Sequence, residues 1–310
     1  MKTLYLVVVL VGLLTFGCKS KTEYNDQPKS KDPLSAQALR EKLLSPNASE
    51  VLIIAHRGDW RNAPENSLQA IANCINMGVD MVEIDVRMTR DSQLVIIHDA
   101  TLDRTTTDKG KVRDWTLDSL KTLYLRNGAG HPTHHRIPTL KEAMLTAKDK
   151  ILVNLDKCYE YFDLAYKVLQ ETGTTDQVVM KGKVPVKEVQ ESFGQYLDEV
   201  PFMPIVDLEW ADADEIISAY QKEIHPAAFE LLFSNADNPE LEKFYEIRKN
   251  GSRVWVNTLW ESLNAGYEDD MAVENPDSIY GFLIEKGVNM IQTDRPEFLL
   301  NYLRSKGLHN

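Results

Sequence analysis

The sequence predicts a (β/α)8 barrel distorted by a hairpin excursion after its second strand. Nine short β-branched or apolar runs alternate with longer amphipathic stretches, the pattern of βα units on a parallel sheet. Two of the nine lie too close together for a parallel crossover, which leaves eight, the number that closes a barrel. The 310 residues also suit one such barrel preceded by a tail, since a barrel occupies about 250 residues.

The first run, "VLIIAH" (51–56), leads into "LQAIANCINMG", a helix that Asn66 or Ser67 can cap and that Gly78 ends. The second and third runs, "DMVEIDV" (80–86) and "QLVIIH" (93–98), are joined only by "RMTRDS". A parallel crossover needs about a dozen residues, so 93–98 is the return arm of a hairpin and stands outside the barrel. Residues 101–138 form a long excursion of the kind that shapes substrate access, with one short helical piece near 117–125. The remaining strands are "ILVNLD" (151–156), "QVVMK" (177–181), "PFMPIV" (201–206), "AFELLF" (228–233), "RVWVN" (253–257) and "NMIQT" (289–293). Before the last of them, Pro276 opens a helix that Gly287 closes.

Ahead of the barrel, the apolar run from Leu4 to Phe16 is shorter than the roughly 18 residues that span a bilayer, so residues 1–17 are expected to be a signal peptide. The segment "LTFGC" resembles a bacterial lipoprotein signal, which implies that Cys18 becomes the lipid-bearing first residue of an exported protein anchored in the cell envelope. Residues 19–33 are polar and charged, and the expected organisation is a lipidated N-terminus and flexible linker over 18–45, then the barrel over 46–310. Cys74 and Cys158 make no disulfide framework and are read as buried structural thiols. With 35 Lys and Arg against 47 Asp and Glu, the net charge of −12 disfavours nonspecific binding to nucleic acid or to an anionic bilayer.

Barrel active sites lie at the C-terminal ends of the strands. There the first run ends in His56 and Arg57, the second carries Glu83 and Asp85 on one side, the hairpin arm ends in His98 and Asp99, and the next strand ends in Asp156. Glu83 and Asp85 sit among Met81, Val82, Ile84 and Val86, which points to burial. Three carboxylates at one mouth repel each other unless a cation sits among them, and all-oxygen ligation suits one Mg²⁺ or Ca²⁺ better than Zn²⁺. Two histidines supply a general base and a general acid near neutral pH, while Arg57 offers a planar fork to an oxyanion such as phosphate. Together these groups describe phosphodiester cleavage.

His56-Arg57-Gly58, Pro64-Glu65-Asn66-Ser67, Glu83-Ile84-Asp85, His98-Asp99, Leu102-Asp103-Arg104-Thr105-Thr106, Gly110, Ile137-Pro138-Thr139-Leu140, Trp255-Val256-Asn257 and Thr293-Asp294 follow one another in an order and spacing that resembles the glycerophosphodiester phosphodiesterase family. The resemblance runs from Val51 to about Gly307. It implies a distorted TIM barrel of the phosphatidylinositol phospholipase C type, and hydrolysis of a small-molecule glycerophosphodiester to sn-glycerol 3-phosphate and an alcohol. It further implies that His56 and His98 are the acid/base pair, that Glu83, Asp85 and Asp156 hold the divalent ion, and that Arg57 holds a non-bridging phosphate oxygen. Glu65 is expected to orient His56 or Arg57 without touching the metal.

One departure matters. The family ends its third strand in Glu, one residue, then Lys, whereas this chain has Asp156 with Cys158 at the Lys position. Lys157 is expected to point to the opposite side of the strand, which leaves Lys181 as the replacement phosphate-binding cation and Lys183 as the next choice. Trp255 is read either as a ring lining the mouth, where it would stack on a head group, or as strand core. His131, His134 and His135 match no closed zinc spacing and are read as a solvated loop, and Asp103, Thr105, Thr106 and Asp294 as structural hydrogen-bonding residues. Two other readings stay open: a degenerate barrel that binds phosphorylated ligands without turnover, and an enzyme acting on lysolipid or sphingolipid head groups. The intact His56, His98, Glu83 and Asp85 argue against the first.

Overall fold

The computed structural model describes residues 34–310. Its strands, in chain order, are β1 (Leu52–Ala55), β2 (Met81–Met88), β3 (Leu94–Ile96), β4 (Tyr124–Arg126), β5 (Pro132–Arg136), β6 (Leu152–Asp156), β7 (Val178–Gly182), β8 (Phe202–Asp207), β9 (Ala228–Leu232), β10 (Arg253–Asn257) and β11 (Met290–Thr293). β1 pairs in parallel with β11 on one side, Leu52 opposite Met290, and with β2 on the other, Ile54 opposite Met81. The order β1-β11-β10-β9-β8-β7-β6-β2 therefore closes into a ring of eight. β3 runs antiparallel on the far end of β2, Val86 opposite Ile96, outside the ring as the short connection requires.

Alternation along each strand divides the core in two. Val82, Ile84, Val153, Phe229, Val256 and Ile291 face outward into the layer under the helices. Leu52, Ile54, Met81, Leu152, Val179, Met203 and Met290 fill the barrel interior near the start of the strands. Helix α1 (Ala36–Leu43), capped by the Ser35 hydroxyl, adds Leu39 and Leu43 to that interior cluster and so closes the N-terminal end. The fully buried Arg253 guanidinium donates to the carbonyls of Lys42, Leu43 and Ser45, satisfying acceptors that the end of α1 leaves free.

This corrects the last part of the expected linker over 18–45, because Ala36–Leu43 is helical and packed on the barrel. The apolar pair four residues apart is too short a pattern to declare a helix without the surface it covers. The expected signal peptide, Cys18 and the tether to residue 33 lie outside the described residues.

Helix α2 (Leu68–Met77) is capped by Ser67, which accepts from the Ala70 N–H, and ends at Gly78 with φ 83°. In the excursion Leu117–Leu120 is α-helical, preceded by a 3-10 turn at Val112–Asp114, and β4 and β5 form a separate hairpin. Val95, Ile97, Leu102, Leu125 and Ile137 pack beneath it as a satellite cluster. His134 and His135 therefore lie on a strand and not on the expected loop, their ring centroids 4.1 Å apart.

Candidate active site

The chain leaves β1 through two consecutive left-handed residues, Arg57 (φ 54°) and Gly58 (φ 76°). A Cβ on Gly58 would come within 2.8 Å of the Ala70 Cβ, so the turn can press against α2 only with glycine. This turn aims the Arg57 N–H at Glu83 Oε2, 3.0 Å away. Just before it, the buried His56 donates from Nδ1 to Asp294 Oδ1 at 2.8 Å, and the Trp60 indole donates to the same oxygen at 2.6 Å. A carboxylate on Nδ1 leaves Nε2 as the nitrogen available for chemistry.

Glu83 and Asp85 both project inward from β2, and Asp85 stands in register with Asp156 at the end of β6. Asn66, held at φ 58°, reads Asp85 twice: its Nδ2 donates to Asp85 Oδ2 at 2.8 Å and its Oδ1 accepts from the Asp85 N–H at 3.1 Å. Glu83, Asp85 and Asp156 each present a ligand oxygen, and these atoms lie within 4.8 Å of one another. Burial and the neighbouring Asp85 push Glu83 up to about 7. Burial works in the same direction on Asp85 and Asp156, yet Lys157 and His98 at Asp85, and Lys181 and Lys157 at Asp156, hold both below the usual carboxylate range. Three convergent hard oxygen donors fit a divalent cation.

The second histidine sits across this cluster. His98 Nε2 is 4.0 Å from Asp85 Oδ1, and its Nδ1 donates to Asp99 Oδ1 at 2.6 Å. Burial lowers the His98 pKa and favours the neutral ring. Arg104 then links the two halves of the site, donating to Asp99 Oδ2 at 2.9 Å and to Glu65 Oε1 at 2.8 Å, while Arg57 Nη1 donates to Glu65 Oε1 at 3.2 Å. Arg57 Nε is buried 3.7 Å from Asp85 and makes no hydrogen bond. His56, Arg57, Trp60, Glu65, Arg104, Gly128, Trp260 and Asp294 line an open pocket of about 290 Å³ at this mouth.

A family model described as a domain of unknown function matches residues 202–303. A glycerophosphodiester phosphodiesterase of Caldanaerobacter subterraneus subsp. tengcongensis is 30% identical over 268 residues, which span 83% of this chain and 100% of that one. This chain belongs to the glycerophosphodiester phosphodiesterase family. Among solved structures, a glycerophosphoryl diester phosphodiesterase from Parabacteroides distasonis covers 89% of this chain and 93% of its own at TM-score 0.73 and 24% identity. A phosphodiesterase of Oleispira antarctica, solved with the product sn-glycerol-3-phosphate, covers 82% and 96% at TM-score 0.63 and 21% identity.

For this family member the structure brings His56, Arg57, Glu65, Glu83, Asp85, His98 and Asp156 to one mouth. Glu65 contacts Arg57 and Arg104. Two expectations are corrected, and the choice between the two readings of Trp255 is made. Lys157 does not point away: its left-handed backbone (φ 55°) turns the side chain inward, where Nζ lies 2.7 Å from Asp85 Oδ1. Strand alternation, which predicted the opposite, does not apply to a residue that has left the extended region. Lys181 is committed to carboxylates inside the barrel, with Nζ 3.2 Å from Glu230 and 3.7 Å from Asp156, and Lys183 stands over the Trp210 ring instead. Trp255 is fully buried and donates to Asn257 Oδ1 at 2.7 Å, so it is core, and the tryptophans of the mouth are Trp60 and Trp260. Asp294, read as a structural hydrogen-bonding residue, holds His56, and its position at the end of the last strand, adjacent to the first in a closed ring, is the signal that would have given it that partner; Trp60 and Trp260 carried no signal in the sequence.

Proposed function

We propose that the chain hydrolyses glycerophosphodiesters to sn-glycerol 3-phosphate and an alcohol, using His56 and His98 as the acid/base pair around one divalent ion, Mg²⁺ or Ca²⁺. The observation that carries this reading is the pair of histidines, each held through Nδ1 by its own carboxylate, facing one three-carboxylate cluster. The glycerol 3-phosphate bound to the Oleispira antarctica relative is the product such a site would release.

The chain's own residues supply binding and proton transfer. Arg57, which lines the pocket, offers its guanidinium to a non-bridging phosphate oxygen, and Glu65 keeps it in place. His98, whose burial favours the neutral ring, accepts the proton of the attacking oxygen, which is either water or the hydroxyl adjacent to the phosphate; in the second case water then opens the cyclic phosphate to give glycerol 3-phosphate. His56 delivers a proton from Nε2 to the departing alcohol oxygen, Asp294 stabilising the ring while it carries charge. Glu83, Asp85 and Asp156 would hold the ion, which when bound neutralises phosphate charge as a Lewis acid. We further infer export and anchoring in the cell envelope through a lipid on Cys18, on the resemblance of "LTFGC" to a lipoprotein signal.

The test is release of glycerol 3-phosphate from glycerophosphocholine, glycerophosphoethanolamine and glycerophosphoinositol in EDTA, Mg²⁺ or Ca²⁺, beside His56→Ala and His98→Ala. Turnover that needs the ion and disappears in both variants supports the reading. Folded protein that turns over none of these diesters with any ion refutes it.

A further inference from the structure

Building on the divalent-ion reading above, we propose that Lys157 is an internal competitor for that ion, its ammonium holding the cation position between Asp85 and Asp156 until the ion displaces it. Lys157 Nζ lies 2.7 Å from Asp85 Oδ1 and 3.3 Å from Asp156 Oδ2, between two of the three carboxylates whose ligand atoms converge within 4.8 Å. The placement is built into the backbone. Lys157 adopts φ 55°, a conformation disfavoured for any residue with a side chain, and its N–H donates to Asp156 Oδ1 at 2.7 Å. The same turn that fixes the Asp156 carboxylate thus folds the lysine stem back over it.

The two lysines of the site differ in whether they can leave. Lys181 is 4% exposed and is also bound to Glu230, so it has no route out. Lys157 is 24% exposed on a flexible four-carbon stem, and solvent can receive its ammonium. A divalent ion carries twice the charge and accepts more oxygen ligands, so it wins the position, but it must first break two charge-assisted contacts.

The experiment uses the full chain stripped with EDTA and titrated calorimetrically with Mg²⁺ and Ca²⁺, as wild type, Lys157→Met, Lys157→Gly and Glu83→Gln. Glycine accepts the left-handed backbone and guards against a variant that fails to fold. Both Lys157 variants are expected to bind the ion roughly 10-fold to 100-fold more tightly than wild type. Stripped Lys157→Met is expected to melt lower than stripped wild type and to gain more on addition of the ion, while Glu83→Gln loses binding. Ion binding by wild type with unchanged or weaker affinity in both Lys157 variants overturns the exchange and leaves the ion reading intact. No binding by wild type, and no shift of its melting temperature, overturns the ion reading and the exchange with it.

Discussion

Asp294 Oδ1 accepts from His56 Nδ1 at 2.8 Å, so a carboxylate at the end of the last strand sets the tautomer of a histidine at the end of the first. The Trp60 indole and the Asp269 carboxylate, which accepts from the Asp294 N–H at 2.6 Å, fix the carboxylate in turn. Asp294→Asn keeps the shape of the group but can present its amide to Nδ1 and reverse the tautomer. It is expected to lower kcat by about a hundredfold or more with KM little changed. Wild-type kcat in a folded Asn variant would remove Asp294 from the mechanism.

His56→Ala and His98→Ala should each cost about 10² to 10⁴ in kcat, the range for loss of a positioned acid or base. Circular dichroism spectra and melting curves close to wild type would assign the loss to chemistry. A single variant that retains activity would show that only the other histidine transfers a proton in the slow step.

Ion affinity should depend on pH through Glu83, whose carboxyl is pushed up to about 7 by burial and by Asp85. The ion needs the ionised form, so binding strengthens as pH rises toward that value and weakens below it by up to about tenfold per pH unit. Titrations at about pH 5.5, 7 and 8.5 in two buffers of different ionisation heat would also count the proton released. A flat profile would remove Glu83 from the ligand set.

At the other end of the barrel His309 Nε2 lies 2.9 Å from Asp80 Oδ2, which also accepts from the Ile53 N–H at 2.8 Å. Burial alone would lower the His309 pKa, but the bond to Asp80 carries it above the ordinary value of 6.5. The folded state therefore binds this proton more tightly than the unfolded state. The stability it contributes is complete below about pH 6.5 and disappears as pH rises through the raised value. Urea midpoints across that window should fall with pH in wild type and less in His309→Gln, and parallel curves for the two would contradict the assignment.

Leu43 is 1% exposed and belongs to the cluster that α1 adds to the barrel floor. Leu43→Ala should destabilise the protein by about 2–5 kcal/mol in chemical denaturation. A cost below about 1 kcal/mol would mean that α1 is not part of the cooperative fold.

The strand count, the hairpin outside the ring and six of the seven groups gathered at the mouth were legible in the sequence, because each rests on local information; Glu65 entered only through the family resemblance. Apolar runs report burial, a six-residue connection excludes a parallel crossover, and residues that finish strands of a barrel share one end. What the tertiary structure alone decided depends on a backbone angle or on a neighbour far away in sequence. Lys157 enters the site through φ 55°, a torsion that no strand periodicity encodes. Arg253 meets the carbonyls that end α1, and Asp294 meets His56, only because packing the floor and closing the ring bring residues more than two hundred positions apart within hydrogen-bond reach.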